Sequence, residues 1–263
     1  MTSHGDELAF AVEIAHIGGD IAMSHYQKGP SLQRKGDGTW VTAADVEVET
    51  RLRVAIAESW PDHNVLGEEQ GFAAANGGPP VEGAPTWIVD PIDGTHNYMS
   101  GIPIWGTLIG LRTEDGFVVG VCHAPALGET YEAATGSGAR MNGAPIEAAS
   151  VADLSEATTV IGGAQAFVDA GLERFLDELT MSSWRIRGFG DFWGHMLVAR
   201  GAAHVMVEPL LNVWDTAALV PIVTEAGAKI THLDGSDWTD DGSCLTACAP
   251  LHDQVVGLAA RTT

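Results

Sequence analysis

Hydrophobic residues recur along this chain with two spacings, and their alternation predicts the order of its elements. Residues 7–26 place apolar side chains three and four positions apart, which predicts an amphipathic helix ended by Gly29-Pro30. A second helix is predicted from an N-cap at Thr42, with Asp45 completing a capping-box-like start, to about Trp60. The residues between the two helices predict a loop or an irregular strand pair.

Short apolar runs then replace the helical spacing and predict strands. Residues 65–67 form one such run, residues 72–85 are a glycine- and proline-rich loop, and residues 87–89 form a second, fully apolar run. Turn residues separate three further runs, which predict an antiparallel meander: 104–111, 117–123 and 129–134.

From about residue 150 the pattern alternates between strand and helix. Strands are predicted at 158–161, 184–187, 204–207, 229–233 and 244–249. Helices are predicted at 171–179, 192–200 and 214–226, with a last one from about Pro250. A meander followed by this alternation indicates layered sheets and helices of the mixed α+β or α/β class. We expect two halves, residues 1–149 and 150–263, that pack into one unit.

Length and composition narrow the class of protein. The chain has 263 residues, of which 45% are hydrophobic, which suits one large unit. No apolar run approaches the roughly 18 residues of a membrane span, and no signal-peptide pattern opens the chain. Three cysteines make no disulfide framework, and Cys122 and Cys248 lie in apolar runs. We therefore expect free thiols and a cytoplasmic protein.

The charge is strongly acidic, with 13 Lys and Arg against 35 Asp and Glu and a formal net charge of −22. Such a charge argues against nucleic acid and against anionic membranes as partners. It also means that an anionic substrate requires cations that reverse the local field. For most surface acids, solubility is a sufficient explanation.

Two carboxylates, Asp90 and Asp93, directly follow the apolar run at 87–89, with Pro91 between them. Open α/β sheets bind their ligands at the carboxyl ends of strands, and two such acids in a rigid turn can hold a hard cation. Gly94 and Thr95 come next and can direct backbone N–H groups at a phosphate.

Other acids stand where elements begin or end. Glu68 and Glu69 follow the strand at 65–67, Glu208 follows the strand at 204–207, and Asp215 opens a predicted helix. Each alone is explained by capping or by surface exposure. Together they predict a convergent site, because carboxylates repel one another at close range unless cations lie among them.

At these residues the chain resembles the inositol monophosphatase family of magnesium-dependent, lithium-sensitive phosphatases. Three blocks carry the resemblance: Gly67-Glu68-Glu69, Asp90-Pro-Ile-Asp-Gly-Thr95, and Trp214-Asp-Thr-Ala-Ala218 with Glu225-Ala-Gly227. The resemblance spans nearly the whole chain from residue 41. It implies an alternating αβαβα sandwich, hydrolysis of a small phosphate monoester, and a homodimer.

The resemblance also implies roles for individual residues. Glu68, Asp90 and the Ile92 carbonyl would hold one Mg²⁺, and Asp90, Asp93 and Asp215 a second, with Glu68 sharing a third and weaker ion. Asp45 and Thr95 would orient the attacking water, with Thr95 donating to Asp45. The backbone of Gly94 and Thr95 would bind phosphate. Lys35 is one residue out of register with a family lysine and is left out.

The stretch around Asp191 departs from the inositol phosphatases, which have a small Gly-Ser/Thr-Ala run there. Asp191 and Glu208 match substrate-contacting positions, and a second negative charge suits a cationic alcohol. Gly190-Asp-Phe192 resembles the histidinol-phosphate phosphatases within the family. The simpler explanation of Asp191 is a salt bridge to Arg187. Trp193 is either an imidazole-facing wall or core.

Several alternatives stay open from the sequence. An inositol 1-phosphatase or other polyol phosphatase needs no cation-binding acid. A non-catalytic module would use the acids for structural calcium or an interaction surface. A bisphosphate phosphatase would need basic residues, and the stretch from Lys28 to Lys35 is the only cluster. His195 and His204 lack paired ligands and are expected to be structural, whereas His96 lies beside the phosphate turn.

Overall fold

The computed structural model describes residues 4–28, 32–34 and 40–262. Two helices, α1 (Gly5–Tyr26) and α2 (Ala43–Ser59), flank a short antiparallel pair, β1 (Leu32–Arg34) with β2 (Trp40–Thr42). Both helices and the strand pair match the prediction. Thr42 caps α2 and forms the expected capping box with Asp45. Gly29, Pro30 and Lys35 lie outside the described residues.

The larger sheet lies between residues 64 and 145. Its strands are β3 (Asn64–Gly67), β4 (Gly71–Ala74), β5 (Thr86–Asp93), β6 (Gly106–Thr113), β7 (Gly116–Ala124), β8 (Glu129–Ala134), β9 (Arg140–Met141) and β10 (Ala144–Pro145), in the order β10-β9-β8-β7-β6-β5-β3-β4. The predicted meander is confirmed by the antiparallel ladders β6–β7–β8. The predicted loop at 72–85 was wrong at its start, because β4 folds back on β3 there.

The smaller sheet comes from the later part of the chain. Its strands are β11 (Thr158–Ile161), β12 (Arg185–Arg187), β13 (Val205–Leu211), β14 (Ala228–Thr231) and β15 (Gly242–Cys248), in the order β12-β11-β13-β15-β14. The helices are α3 (Thr95–Met99), α4 (Ala164–Asp169), α5 (Glu173–Ser182), α6 (Asp191–Ala199), α7 (Val213–Thr216), α8 (Leu219–Glu225) and α9 (Ala249–Thr262). The single helix predicted at 214–226 is two helices, since Pro221 has no N–H to donate to the Ala217 carbonyl.

Three buried clusters show how these elements are layered. One joins α1 and α2 to a face of the larger sheet. A second fills the space between the two sheets with side chains of α6 and α8. A third packs α4, α5 and α9 on the outer face of the smaller sheet. The order is therefore helix, sheet, helix, sheet, helix, which confirms the αβαβα prediction. Within the described residues, no helix combines the length and hydropathy needed to cross a membrane.

Candidate metal and substrate site

Strand β5 lies inside the larger sheet, and all eight of its residues are buried. Residues three apart on a regular strand point to opposite faces, so Asp90 and Asp93 would be separated by a regular pleat. The ladder to β6 shifts register between these two residues, where Pro91 cannot donate a hydrogen bond. This irregularity lets both carboxylates turn to the same side, towards the central helices.

Asp215 reaches the same point from the central helix layer. It is the third residue of α7, and its Oδ2 accepts from the Asn212 backbone N–H at 2.7 Å, completing a capping box. Carboxylate oxygens of Asp90, Asp93 and Asp215 lie within 4.8 Å of one another. The sequence predicted this convergence, and the capping role proposed as the simpler explanation of Asp215 is also present.

Glu68 lies in the turn between β3 and β4. Its carboxylate is close enough to raise the pKa of Asp45, Asp90 and Asp215. Strands β3 and β5 are parallel neighbours, with Gly67 opposite Val89, so residues that follow each strand lie side by side. The structure thus brings all four predicted acids of the cluster together.

The pKa values of the clustered aspartates are raised. Burial, followed by the charge of Glu68, raises the pKa of Asp90 well above its usual range. Burial and the charge of Asp191 do the same for Asp93. Burial raises the pKa of Asp215 to about 7. Ionised carboxylates are therefore disfavoured here unless a cation joins them.

The donor set fits a hard divalent cation. The converging groups are all oxygens, with neither histidine nor thiolate among the described cluster, and magnesium and calcium prefer such ligands. The Ile92 carbonyl lies in the same turn and accepts a hydrogen bond from the Thr95 hydroxyl at 3.1 Å. A carbonyl oxygen has a second lone pair, so Ile92 remains able to bind a cation.

Asp45 has the capping role that the sequence predicted, and its second carboxylate oxygen takes no part in that cap. Its Oδ2 accepts from the Thr42 backbone N–H at 2.8 Å and from the Thr42 hydroxyl at 2.5 Å. Its Oδ1 is buried and has no partner among the described residues. Burial raises the pKa of Asp45 to about 6, against the lowering effect of Thr42. The expected donation from Thr95 to Asp45 was wrong, since Thr95 donates to Ile92 instead.

Gly94 makes the turn from β5 into α3. Its φ is 80°, in the left-handed region, and a Cβ there would lie 2.8 Å from the Ile104 carbonyl oxygen. Glycine is therefore required on both counts. His96, next along this turn, is exposed.

A second pair of acids, Asp191 and Glu208, stands beside the cluster. Glu208 is 7% exposed, and its Oε1 accepts from the Asp191 backbone N–H at 3.1 Å. The next N–H, of Phe192, donates to Asp93 Oδ2 at 2.8 Å. Burial, followed by the charge of Asp191, raises the pKa of Glu208 to about 8, and burial raises that of Asp191 to about 6. The start of α6 thus joins the pair to a predicted metal ligand.

The suggested salt bridge between Asp191 and Arg187 is not what holds Asp191. The Arg187 guanidinium donates to the Ile186 carbonyl oxygen, whereas Asp191 Oδ2 accepts from the Asn97 side-chain amide at 2.7 Å. Asp191 has a φ of 51°, which is unusual outside glycine but tolerated best by Asp and Asn. Sequence reasoning missed Asn97, although it lies two residues beyond Thr95.

The pair opens into a cavity of about 220 Å³. Its lining consists of Asn97, Gly162, Gly163, Gly188, Phe189, Gly190, Asp191 and Glu208. Phe189 supplies its aromatic wall and packs edge-on against Trp193, with ring centroids 5.2 Å apart. Trp193 is not in this lining. Its indole N–H instead donates to Glu129 at 2.9 Å, under the Arg200 guanidinium.

The two histidines expected to be structural have structural partners. His195 is fully buried in α6, with Nδ1 at 2.8 Å from the Thr246 hydroxyl, and His204 Nδ1 accepts from the Thr158 backbone N–H at 2.8 Å. Both belong to the packing of the smaller sheet.

Buried carboxylates that converge between a sheet and the central helices of an αβαβα sandwich indicate a class of metal-dependent enzymes. The chain belongs to one family of that class: residues 5–261 match the model of the inositol monophosphatase family. The resemblance seen in the three sequence blocks is thereby confirmed, and the family is metal-dependent.

Relatives cover nearly the whole chain. It is 41% identical over 258 residues to a histidinol-phosphatase of Mycobacterium tuberculosis, covering 95% of this chain and 96% of the relative. It is 37% identical to a histidinol-phosphatase of Chlorobaculum parvum, covering 92% and 91%. Among solved structures, the Thermotoga maritima IMPase superposes with a TM-score of 0.86 at 29% identity, covering 98% of both chains.

Proposed function

We propose that this protein is a Mg²⁺-dependent phosphatase that hydrolyses L-histidinol phosphate to L-histidinol and phosphate, a step of histidine biosynthesis. The observation that carries the substrate is the buried pair Asp191 and Glu208, which faces a cavity beside the acidic cluster. Relatives at 36% to 41% identity are named histidinol-phosphatases, which supports the same substrate.

Two Mg²⁺ ions are proposed at the cluster. Glu68, Asp90 and the Ile92 carbonyl would hold one, and Asp90, Asp93 and Asp215 the other, with Glu68 sharing a third, weaker ion. The raised pKa values of the three aspartates support this, because bound cations stabilise their ionised form. When bound, the ions neutralise phosphate oxygens and increase the acidity of the attacking water.

The remaining chemistry belongs to the chain. Asp45 Oδ1, which has no hydrogen-bond partner within the described part of the chain, is the proposed acceptor for the proton of the attacking water. Thr95 Oγ1 can accept a hydrogen bond from that water while donating its own proton to Ile92. The backbone N–H groups of Gly94 and Thr95 are proposed to bind the phosphate oxygens, at a turn where Gly94 leaves room for them.

The alcohol part of the substrate is proposed to occupy the cavity around Asp191 and Glu208. Histidinol carries an ammonium group and an imidazole ring. Both carboxylates can accept charge-assisted hydrogen bonds from the ammonium, and ionisation of Glu208 becomes favourable once that cation is present. Phe189, which lines this cavity, is proposed to contact the ring in place of Trp193.

A phosphate-release panel tests this proposal. With Mg²⁺, histidinol phosphate should give a kcat/KM well above those of inositol 1-phosphate and glycerol 2-phosphate. A preference for inositol 1-phosphate would support the polyol alternative, for which relatives such as the Caulobacter vibrioides inositol-1-monophosphatase, 34% identical, are the precedent. No release from any ester would favour the non-catalytic alternative.

Two further proposals concern setting and assembly. Free and buried Cys122, Cys244 and Cys248 support a reducing compartment, and we propose the cytoplasm. A homodimer is proposed from the family resemblance, and sedimentation or light scattering on the purified protein would test it.

A further inference from the structure

Glu49 is a fully buried carboxylate that the proposed mechanism does not use. It lies in α2 four residues after Asp45, so the two acids share one face of the helix, one turn apart. Asp45 faces the site. Glu49 instead faces the turn between β3 and β4 that carries Glu68.

Both oxygens of the Glu49 carboxylate accept hydrogen bonds from the backbone of that turn. Oε2 accepts from the Glu69 backbone N–H at 2.7 Å, and Oε1 accepts from the Gln70 backbone N–H at 3.0 Å. Arg53, one turn further along α2, donates to Oε1 at 2.8 Å and also donates to the Gly71 carbonyl oxygen. A buried charge is thereby paired, and the two N–H groups that directly follow Glu68 are fixed.

The residue before Glu68 is shaped around the same carboxylate. Any side chain at Gly67 would collide with Glu49, because the Cβ would overlap the carboxylate atoms. Gly67 also pairs with Gly71 across the β3–β4 ladder. Glu68 therefore lies between Gly67, which packs against the Glu49 carboxylate, and two backbone amides that donate to that same carboxylate.

We propose that Glu49 is a positioning residue for the metal site: it fixes the backbone on both sides of Glu68, and so sets where the Glu68 carboxylate stands relative to Asp90. Because Asp45 and Glu49 belong to one rigid helix, α2 also fixes the distance between the proposed water-orienting group and this metal ligand. The inference rests on the proposed role of Glu68 in binding Mg²⁺. It is independent of the identity of the substrate.

The test is Glu49→Gln. A carboxamide keeps the size of the side chain but has one acceptor oxygen, so it must lose either the bond to Glu69 or those to Gln70 and Arg53. We expect amide hydrogen exchange at Glu69 or Gln70 in the metal-free protein to speed up by about tenfold or more. Mg²⁺ affinity, measured by calorimetry without substrate, should weaken by about tenfold, as is typical when a group that orients a ligand is lost.

Glu47→Gln is the matched control. It makes the same chemical change two residues away in the same helix, at an exposed side chain whose partner is His25. This control separates the loss of one negative charge from the loss of the bonds to the turn. It should leave Mg²⁺ affinity and the exchange of Glu69 and Gln70 unchanged.

A folded Glu49→Gln protein with wild-type Mg²⁺ affinity and amide exchange would overturn the inference, as would equal weakening by Glu47→Gln. If Glu49→Gln does not fold, Arg53→Gln reports instead, since it leaves both backbone bonds to Glu49 in place. Arg53→Gln should lower stability while leaving Mg²⁺ affinity within about twofold, and a larger loss would refute the inference. Failure of the metal proposal itself is distinguishable, because the wild-type protein would then show no Mg²⁺ binding.

Discussion

Two groups of buried acids lie side by side in this protein, and they differ in what surrounds them. Asp90, Asp93 and Asp215 converge until their oxygens are within 4.8 Å, which leaves room for ions only. Asp191 and Glu208 instead border a cavity of about 220 Å³ that has an aromatic wall and an amide donor. Both groups have raised pKa values because of burial. Buried carboxylates in both groups therefore need a positive charge nearby. A metal ion fits the first group, and an organic cation fits the cavity at the second.

Substitution of an acid in the first group should cause the largest loss of activity. Asp90→Asn removes a ligand proposed to be shared by two ions, and kcat should fall by about three orders of magnitude or more with every ester. The metal-free variant should be at least as stable as wild type, because one of the mutually repelling carboxylates is gone. Phosphate release and thermal unfolding with a chelator measure both. Near-normal turnover would remove Asp90 from the site.

Asp191→Asn addresses the second group and should be selective. Asn keeps the shape of the side chain and tolerates the φ of 51°, so the backbone bond to Glu208 is retained while the charge is lost. We expect kcat/KM for histidinol phosphate to fall by about 10- to 100-fold, the value of a charge-assisted hydrogen bond. Glycerol 2-phosphate hydrolysis should change far less. Equal losses on both esters would mean that Asp191 does not bind the cation.

The dependence of stability on pH, measured with and without Mg²⁺, distinguishes the two groups of acids. Acids whose pKa is raised by folding keep their protons longer in the native state. The metal-free protein should therefore lose stability as pH rises from about 4, the ordinary range of these acids, through about 6 for Asp191 and about 8 for Glu208. Saturating Mg²⁺ should offset only the part of this stability loss that comes from Asp90, Asp93 and Asp215.

The measurement is Tm against pH with chelator and with Mg²⁺. The stabilisation by Mg²⁺ should be larger near pH 8 than near pH 5, because the ions compete with protons for the cluster. An effect of Mg²⁺ that did not depend on pH would contradict the assignment of ions to these carboxylates.

Phe189→Ala should have the smallest effect, confined to the second group. Loss of one partly exposed aromatic contact should raise KM for histidinol phosphate by about three- to tenfold and leave kcat nearly unchanged. Phe189→Tyr should restore KM, since the ring is retained. A fall in kcat with unchanged KM would show that Phe189 acts on the chemical step rather than on the imidazole ring.

The sequence predicted the first group more fully than the second. Asp90 and Asp93 are close in the chain, so a strand followed by a turn was enough to place them, and Asp215 was predicted from its position at the start of a helix. Asp191 and Glu208 were also predicted to face the substrate, but Asn97 and Phe189, which line the same cavity, come from other segments of the chain. Their meeting depends on how α3 and the segment before α6 pack, which hydrophobic spacing does not encode.

The fold shows the same division. Apolar spacing predicted the meander and both N-terminal helices, because each depends on local periodicity. It did not predict the break between α7 and α8, or β4 folding back on β3. The turn that leads into β4 is hydrogen-bonded to the buried Glu49, and no pattern within residues 68–74 reveals that contact.

The register shift at Pro91 has a consequence for anyone who would transplant this site. Copying the aspartates alone into a regular strand of another sheet would send one of them to the far side. The unit to transfer is the interrupted ladder between Asp90 and Asp93, together with the neighbouring strand that tolerates it. In this protein the orientation of the two aspartates is a property of the irregular β5–β6 ladder rather than of the aspartates themselves.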